Sequence, residues 1–289
     1  MRVGIFIVGA PKAGTTSLHY YLNEHPEILM SALKEPDFFS HKEILEQDLY
    51  YENSKINTIE KYHNLFKEGK ELKIFGDSSV SYLFYPEVSK RIKEYNSDSK
   101  IIIMLRNPID RAFSHYLMDY RLGLINQSFE NVLVEGKTGT KQELFYQQFV
   151  TLGLYYEQVR RYLETFGKEN VHIIFYDDFK NDLQNQVQKV YDFLEVESTF
   201  IAQLSTKHNT FSIPKSSWTR KVYAFVKLRK ILRKILPNQI VIQVKSILFS
   251  KTDRPTLSER LRKQLNELYA ADIKQLAILL NRDLSQWIK

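Results

Sequence analysis

Four short runs, residues 2–8 (RVGIFIV), 73–76 (KIFG), 100–106 (KIIIMLR) and 171–175 (VHIIF), are nearly unbroken apolar, β-branched stretches. That is the pattern of strands buried on both faces of a parallel sheet. Each is followed by a segment with apolar residues at helical spacing, at 15–23, 87–95, 109–122 and 183–194. The alternation predicts βα units winding a central parallel sheet of about four or five strands, a three-layer α/β fold. Further on, Leu257, Leu261, Leu265, Leu268 and Tyr269 recur near the helical period. They predict a C-terminal helical region over 256–289, packed on the sheet or on the segment before it. No internal repeat or glycine- and proline-rich linker interrupts the pattern, so one domain over 1–289 is expected.

The chain has 289 residues, 43% hydrophobic and 26% charged, which is ample for a core and excludes disorder and collagen-like order. The absence of cysteine excludes thiolate catalysis, Cys-ligated metals and disulfides. The first apolar run is too short for a signal peptide and no stretch is long enough for a membrane span, so the reading is cytoplasmic. The formal charge of +7 is local, because 215–251 holds ten cations and no acid while the rest carries a net −3. Within that stretch Phe225, Leu228, Leu232 and Ile235 share one helical face and Lys227, Lys230 and Lys234 lie roughly opposite. A basic helical segment over 217–251 suits an anionic acceptor, or peripheral contact with an anionic membrane or polymer through 215–251; it does not suit a nucleic-acid binder, whose cations spread over its elements.

Two motifs carry the chemistry. Gly9-Ala10-Pro11-Lys12-Ala13-Gly14-Thr15-Thr16 follows the first strand and opens a helix, where successive backbone N–H groups and a helix N-terminus form an anion site. It keeps the glycine spacing of the phosphate loop GxxxxGK[ST], but the lysine stands three positions early, at Lys12. The run 100–105 ends in Arg106 rather than the aspartate that supports a metal, so no metal is expected. The second motif, 106–116 (RNPIDRAFSHY), puts an arginine at a strand end, a proline in the first turn of a helix and Ser114 two turns in. Arg106 and Ser114 can meet around one dianion as a guanidinium fork and a hydroxyl donor. Arg111 reads as a solvated helix charge and His115 as a packed histidine.

Together, PKAGTTSL and LRNPIDRAFSHY resemble the two cofactor signatures of sulfotransferases that use 3′-phosphoadenosine 5′-phosphosulfate (PAPS) and release adenosine 3′,5′-bisphosphate (PAP). The resemblance runs over roughly 3–216 and includes Gly153-Leu154-Tyr155, Tyr176-Asp177-Asp178-Phe179 and Phe193-Leu194. It implies that Pro11, Lys12, Ala13, Gly14, Thr15, Thr16 and Ser17 grip the 5′-phosphosulfate and that Arg106 and Ser114 grip the 3′-phosphate. Lys34-Glu35-Pro36-Asp37-Phe38-Phe39 is similar to a segment of the heparan-sulfate-type branch whose glutamate is the base, which points to Glu35, with His41 next in line. Lys215 and Ser216 fall where the family carries a loop that closes over the nucleotide. One departure is clear: a segment resembling EKTPxY reads Asp77-Ser78-Ser79-Val80-Ser81-Tyr82, so Ser78 replaces a lysine. Either another cation replaces it or the acceptor differs.

The expected activity is transfer of a sulfuryl group from PAPS to a hydroxyl or amine, without metal. Lys12 stabilises the leaving phosphate oxygen and Glu35 takes the acceptor proton. A carbohydrate is the first expected acceptor and a lipid-linked or polyketide-type hydroxyl the second. The competing expectation is a phosphate-loop nucleotide or small-molecule kinase that needs Mg²⁺.

Overall fold

The computed structural model describes residues 2–51, 54–67, 74–135, 140–202, 213–214, 249–250 and 255–288. Lys215, Ser216 and the basic run 217–251, apart from 249–250, lie outside the described residues.

Five strands form one parallel sheet: β1 (Ile5–Gly9), β2 (Ile28–Met30), β3 (Ile74–Ser78), β4 (Lys100–Leu105) and β5 (Val171–Phe175). Their order is β2-β3-β1-β4-β5, and every residue of β1 is buried. Ile5 pairs with Gly76 on one side and Lys100 on the other, and Ile101 through Leu105 run in register with Val171 through Phe175. The expected α/β sheet is present. The strand not expected is β2, whose three residues are too few to register as a periodic run.

Because β1 lies between β3 and β4, the chain turns to opposite sides after β1, and such a reversal opens a crevice beyond the carboxyl ends of the strands. Helix α1 (Thr15–Glu24) leaves β1 directly and buries Thr15, Leu18, His19, Tyr21 and Leu22. Three short or medium elements follow: α2 (His41–Glu46), α3 (Ile59–His63) and α4 (Pro86–Tyr95). Helix α5 (Pro108–Leu122) starts on Asn107, whose side chain accepts from the Ile109 and Asp110 amides, and stops at Gly123 with φ 74°. After α6 (Phe129–Glu135) and α7 (Thr140–Phe149), α8 (Tyr156–Phe166) packs against α4. Helices α9 (Tyr176–Asn181) and α10 (Leu183–Phe193) follow β5.

The C-terminal helix α11 (Glu259–Leu280) begins on Ser258, whose hydroxyl caps Leu261, and buries Leu261, Leu265, Tyr269, Ile273 and Leu276. It packs on α8 and α5 rather than on the sheet. Asp272 fixes it there by accepting from the Tyr155 and Tyr156 amides at 2.7 and 3.1 Å. Residues 213–214 (β6) pair antiparallel with 249–250 (β7), with Ile213 opposite Ser250, so the two ends of the basic run return to one place.

Candidate active site

A cleft of about 1040 Å³ opens over the carboxyl ends of the strands. Its floor is the loop after β1. Gly9 packs so closely on the turn after β3 that a Cβ there would stand 2.7 Å from Leu83 Cβ, and Gly14 sits at φ 98°, a left-handed conformation that favours glycine. The Ala10 amide donates to the Met104 carbonyl (2.7 Å), tying the loop to β4. At the start of α1 the Ser17 and Leu18 amides bond the Gly14 carbonyl (3.0 and 3.3 Å), which leaves the Thr15 and Thr16 amides as its donors without an intrahelical partner. Pro11, Lys12, Gly14, Thr15, Thr16 and Ser17 line the cleft as the motif implied. Ala13 does not: it is fully buried and its amide bonds the Ala10 carbonyl, so it supports the loop from beneath.

Lys12 adopts φ 68°, a strained conformation for a residue with a Cβ. Among the described residues its ammonium reaches only the Met118 sulfur, at 3.3 Å, a weak acceptor. Burial, followed by the neighbouring Arg121, pushes its pKa down to about 8. The carboxylates of Asp119 and Glu35 favour its charge, but less than burial and Arg121 oppose it, so the charged form is costly until a closer anion arrives.

Arg106 lies at the end of β4, where its guanidinium covers the Tyr176 ring at 4.5 Å and its Nη1 donates to the Lys12 carbonyl at 3.1 Å. The Tyr155 hydroxyl donates to the Arg106 carbonyl (3.0 Å), fixing the backbone beneath. Ser114, two turns into α5, lines the same cleft. Tyr176 was not singled out by its own chemistry in the sequence, although it stands at the strand end where a stacking partner for Arg106 is needed.

The opposite wall carries the acids. Glu35 forms an ion pair with Lys34 and remains well exposed. Both Glu35 and Asp37 adopt left-handed φ, 61° and 52°, around Pro36. This turn is stitched to the segment after β3. The Glu35 amide donates to the Ser78 carbonyl (3.0 Å), the Asp37 amide to Ser79 Oγ (3.1 Å), and Ser81 Oγ donates to Asp37 Oδ1 (2.6 Å). Beneath it, fully buried Asp77 accepts from Ser79, Tyr62 and Tyr82 at 2.8–2.9 Å. Burial, with the Glu35 charge next, pushes the Asp37 carboxyl up to about 7. Asp37 is therefore a second carboxylate in the cleft that motif reading passed over; the signal was its spacing of two from Glu35. His41 lines a separate depression with Phe38, Phe39, Lys42, Asn57 and Arg91 and does not face the cleft, so it is not the next base. Ser78 Oγ is buried without a partner, and the cation whose charge reaches both Asp37 and Asp77 is Lys34.

The inner face of α5 overturns the reading of Arg111 as a solvated charge. Arg111 is fully buried, because its guanidinium fork satisfies the carbonyls that end α7: Nη1 donates to Gln148 O (3.1 Å) and Nη2 to Phe149 O. One turn on, His115 is packed as expected, bonding Gln148 O through Nδ1 (2.9 Å) and the Tyr51 hydroxyl through Nε2 (2.8 Å). Burial, and then Arg111, holds its pKa well below the usual histidine range, so it is neutral. A further turn on, buried Asp119 accepts from Tyr50 (2.8 Å) and Tyr51 (2.5 Å), and burial pushes its carboxyl up to about 7.

A bare cation in a glycine-bounded phosphate loop, a stacked arginine anchored to that loop and two carboxylates across the cleft form a constellation for moving an anionic group. Comparison with known proteins agrees. Residues 3–277 match the family model described as the sulfotransferase domain. The chain is similar to a sulfotransferase of known structure from Alicyclobacillus acidocaldarius, with 29% identity, TM-score 0.75 and full coverage of both chains. It is 30% identical over 110 residues to the membrane-associated sulfotransferase kil1 of Dictyostelium discoideum, covering 38% of this chain and 21% of that protein. Human heparan sulfate glucosamine 3-O-sulfotransferase 6 is 26% identical over 209 residues, covering 72% of this chain and 56% of that protein. The chain thus spans between about a fifth and about a half of the curated relatives it matches. With its match running over nearly the whole length and the cleft built at the expected strand ends, the chain belongs to the sulfotransferase domain family.

Proposed function

We propose that this cleft binds PAPS and transfers its sulfuryl group to an acceptor hydroxyl or amine, in line and without metal. The observation that carries the reading is Lys12, a cation in the loop after β1 whose ammonium, among the described residues, has only the Met118 thioether within hydrogen-bond reach, joined through its own carbonyl to Arg106. The cofactor supplies an activated sulfuryl group on a phosphate. Loop amides, Thr15, Thr16 and Ser17 hold the 5′ end, Arg106 and Ser114 the 3′-phosphate, and Lys12 neutralises the bridging oxygen as it leaves. Glu35 takes the acceptor proton while the acceptor oxygen bonds to sulfur and the sulfur–phosphate oxygen bond breaks. Lys34, paired with Glu35, replaces the charge of the lysine missing at Ser78.

The names of the relatives, which include heparan sulfate glucosamine 3-O-sulfotransferases, support a carbohydrate acceptor. Ile44, Leu49, Ile56 and Phe84 also line the cleft, which supports the second class, a lipid-linked or polyketide-type hydroxyl. No helix among the described residues is long and apolar enough to cross a membrane. Calorimetric titration with PAP, with and without EDTA, tests the reading. PAP should bind equally well in both. A requirement for Mg²⁺ moves the protein to the kinase class, and no binding in either condition removes the proposal.

A further inference from the structure

We propose that Met118 is a reversible oxidation site, at which a peroxide converts the thioether to a sulfoxide whose oxygen engages Lys12 and obstructs the anion site; its readout rests on the PAPS reading. The chain has four methionines. Met30 and Met104 belong to β2 and β4 and are 2% and 0% exposed, and Met1 lies outside the described residues. Met118 is partly exposed and lines the cleft. Ser114, Met118 and Arg121, spaced four and three apart, share one face of α5, and all three line the cleft, so a water-borne oxidant that enters it meets the sulfur.

What distinguishes this thioether is its neighbour, because the sulfur stands 3.3 Å from Lys12 Nζ. The charged groups that act on Lys12 are Arg121, Asp119, Arg106 and Glu35. The two acids among them are engaged elsewhere, Asp119 Oδ2 by Tyr50 and Tyr51 and Glu35 by Lys34. An incoming anion therefore has only a weak sulfur acceptor to displace from the ammonium. In the oxidation the peroxide O–O bond breaks, one oxygen bonds to sulfur, and the other leaves as water with both peroxide protons; sulfur gives up two electrons and the peroxide takes them. The sulfoxide oxygen carries a large partial negative charge, so the ammonium exchanges a weak acceptor for a strong one. An arriving phosphate must then displace that oxygen, and it meets a polar group where an apolar one stood. Bound nucleotide acts in the opposite sense by filling the cleft beside the sulfur, which leaves the empty protein as the form open to oxidant. Methionine sulfoxide reductases reverse the change.

The test treats the full chain with hydrogen peroxide, with and without saturating PAP, and follows each methionine by peptide mass spectrometry. PAP affinity is measured by calorimetry before treatment, after it, and after reduction by a pair of sulfoxide reductases that covers both epimers. Met118 should gain oxygen well before Met30 and Met104, and bound PAP should slow it. The oxidised protein should bind PAP roughly tenfold more weakly, the scale of one charge-assisted hydrogen bond that must be broken, and reduction should restore the affinity. Met118→Leu, a near volume-conserving change, should keep its own untreated PAP affinity through the same treatment. Oxidation of Met118 no faster than of Met104, no slowing by PAP, an affinity unchanged in the oxidised protein, or an equal loss in Met118→Leu would each overturn the proposal. Should that variant fail to fold, the wild type decides alone: an affinity that stays low once Met118 is reduced again overturns it too. An untreated chain that does not bind PAP strikes the cofactor reading instead, and this proposal falls with it.

Discussion

PAP binding should draw a proton onto Lys12. In the free protein burial and the nearby Arg121 and Arg106 hold its pKa at about 8 against an ordinary 10.5, a penalty of about 3 kcal/mol on the charged form. A bound phosphate supplies the missing anion and returns the group to the ordinary lysine range. The sign follows: affinity is full while Lys12 is already charged, below about pH 8, and is lost as pH rises through that value. With these values the uptake is about 0.1 proton per PAP at pH 7 and about 0.9 at pH 9, and Kd rises about tenfold over the same span. Calorimetry in buffers of different ionisation enthalpy reads the uptake directly, and above pH 8 the phosphates of PAP are fully ionised and do not contribute. In Lys12→Met the alkaline uptake should vanish and PAP should bind more weakly at every pH. Wild-type uptake below about 0.2 at pH 9, or equal uptake in the variant, would refute the argument.

Glu35→Gln should cut turnover by ~10²-fold or more and spare PAP affinity, the signature of a lost general base; if turnover survives in steady-state assays, Asp37 takes the role and Asp37→Asn should show the loss. Arg106→Ala should erase most of the preference of the wild type for PAP over AMP, a charge-assisted contact on the order of 1.5–3 kcal/mol. Competition binding with both nucleotides checks this, and equal wild-type affinities would sink the assignment of the 3′-phosphate.

Much of this site was legible in the chain because its parts are local. The glycine spacing around Lys12, the strand-end position of Arg106 and the first-turn Pro108 each announce their backbone setting within a few residues. The rest depends on contacts far apart in sequence. Asp37 becomes a cleft carboxylate only because Ser79 and Ser81, more than forty positions on, hold its turn. Arg111 looked like any surface arginine on a helix until the carbonyls ending α7 came to lie against it. Tyr50 and Tyr51 acquire a purpose only where the α5 face delivers Asp119 to them. Strand β2 is held by its pairing with β3 rather than by a pattern of its own.

The hydrogen bond from Arg106 to the Lys12 carbonyl spans 94 positions of sequence and joins the loop after β1 and the strand-end segment after β4 into one part. A loop transplanted from a relative into residues 9–17 would inherit its strained lysine conformation without the guanidinium that steadies it, unless the strand-end arginine came too. Drift at either segment is therefore constrained by the other, and the two signatures should persist or decay as a pair across descendants of this chain.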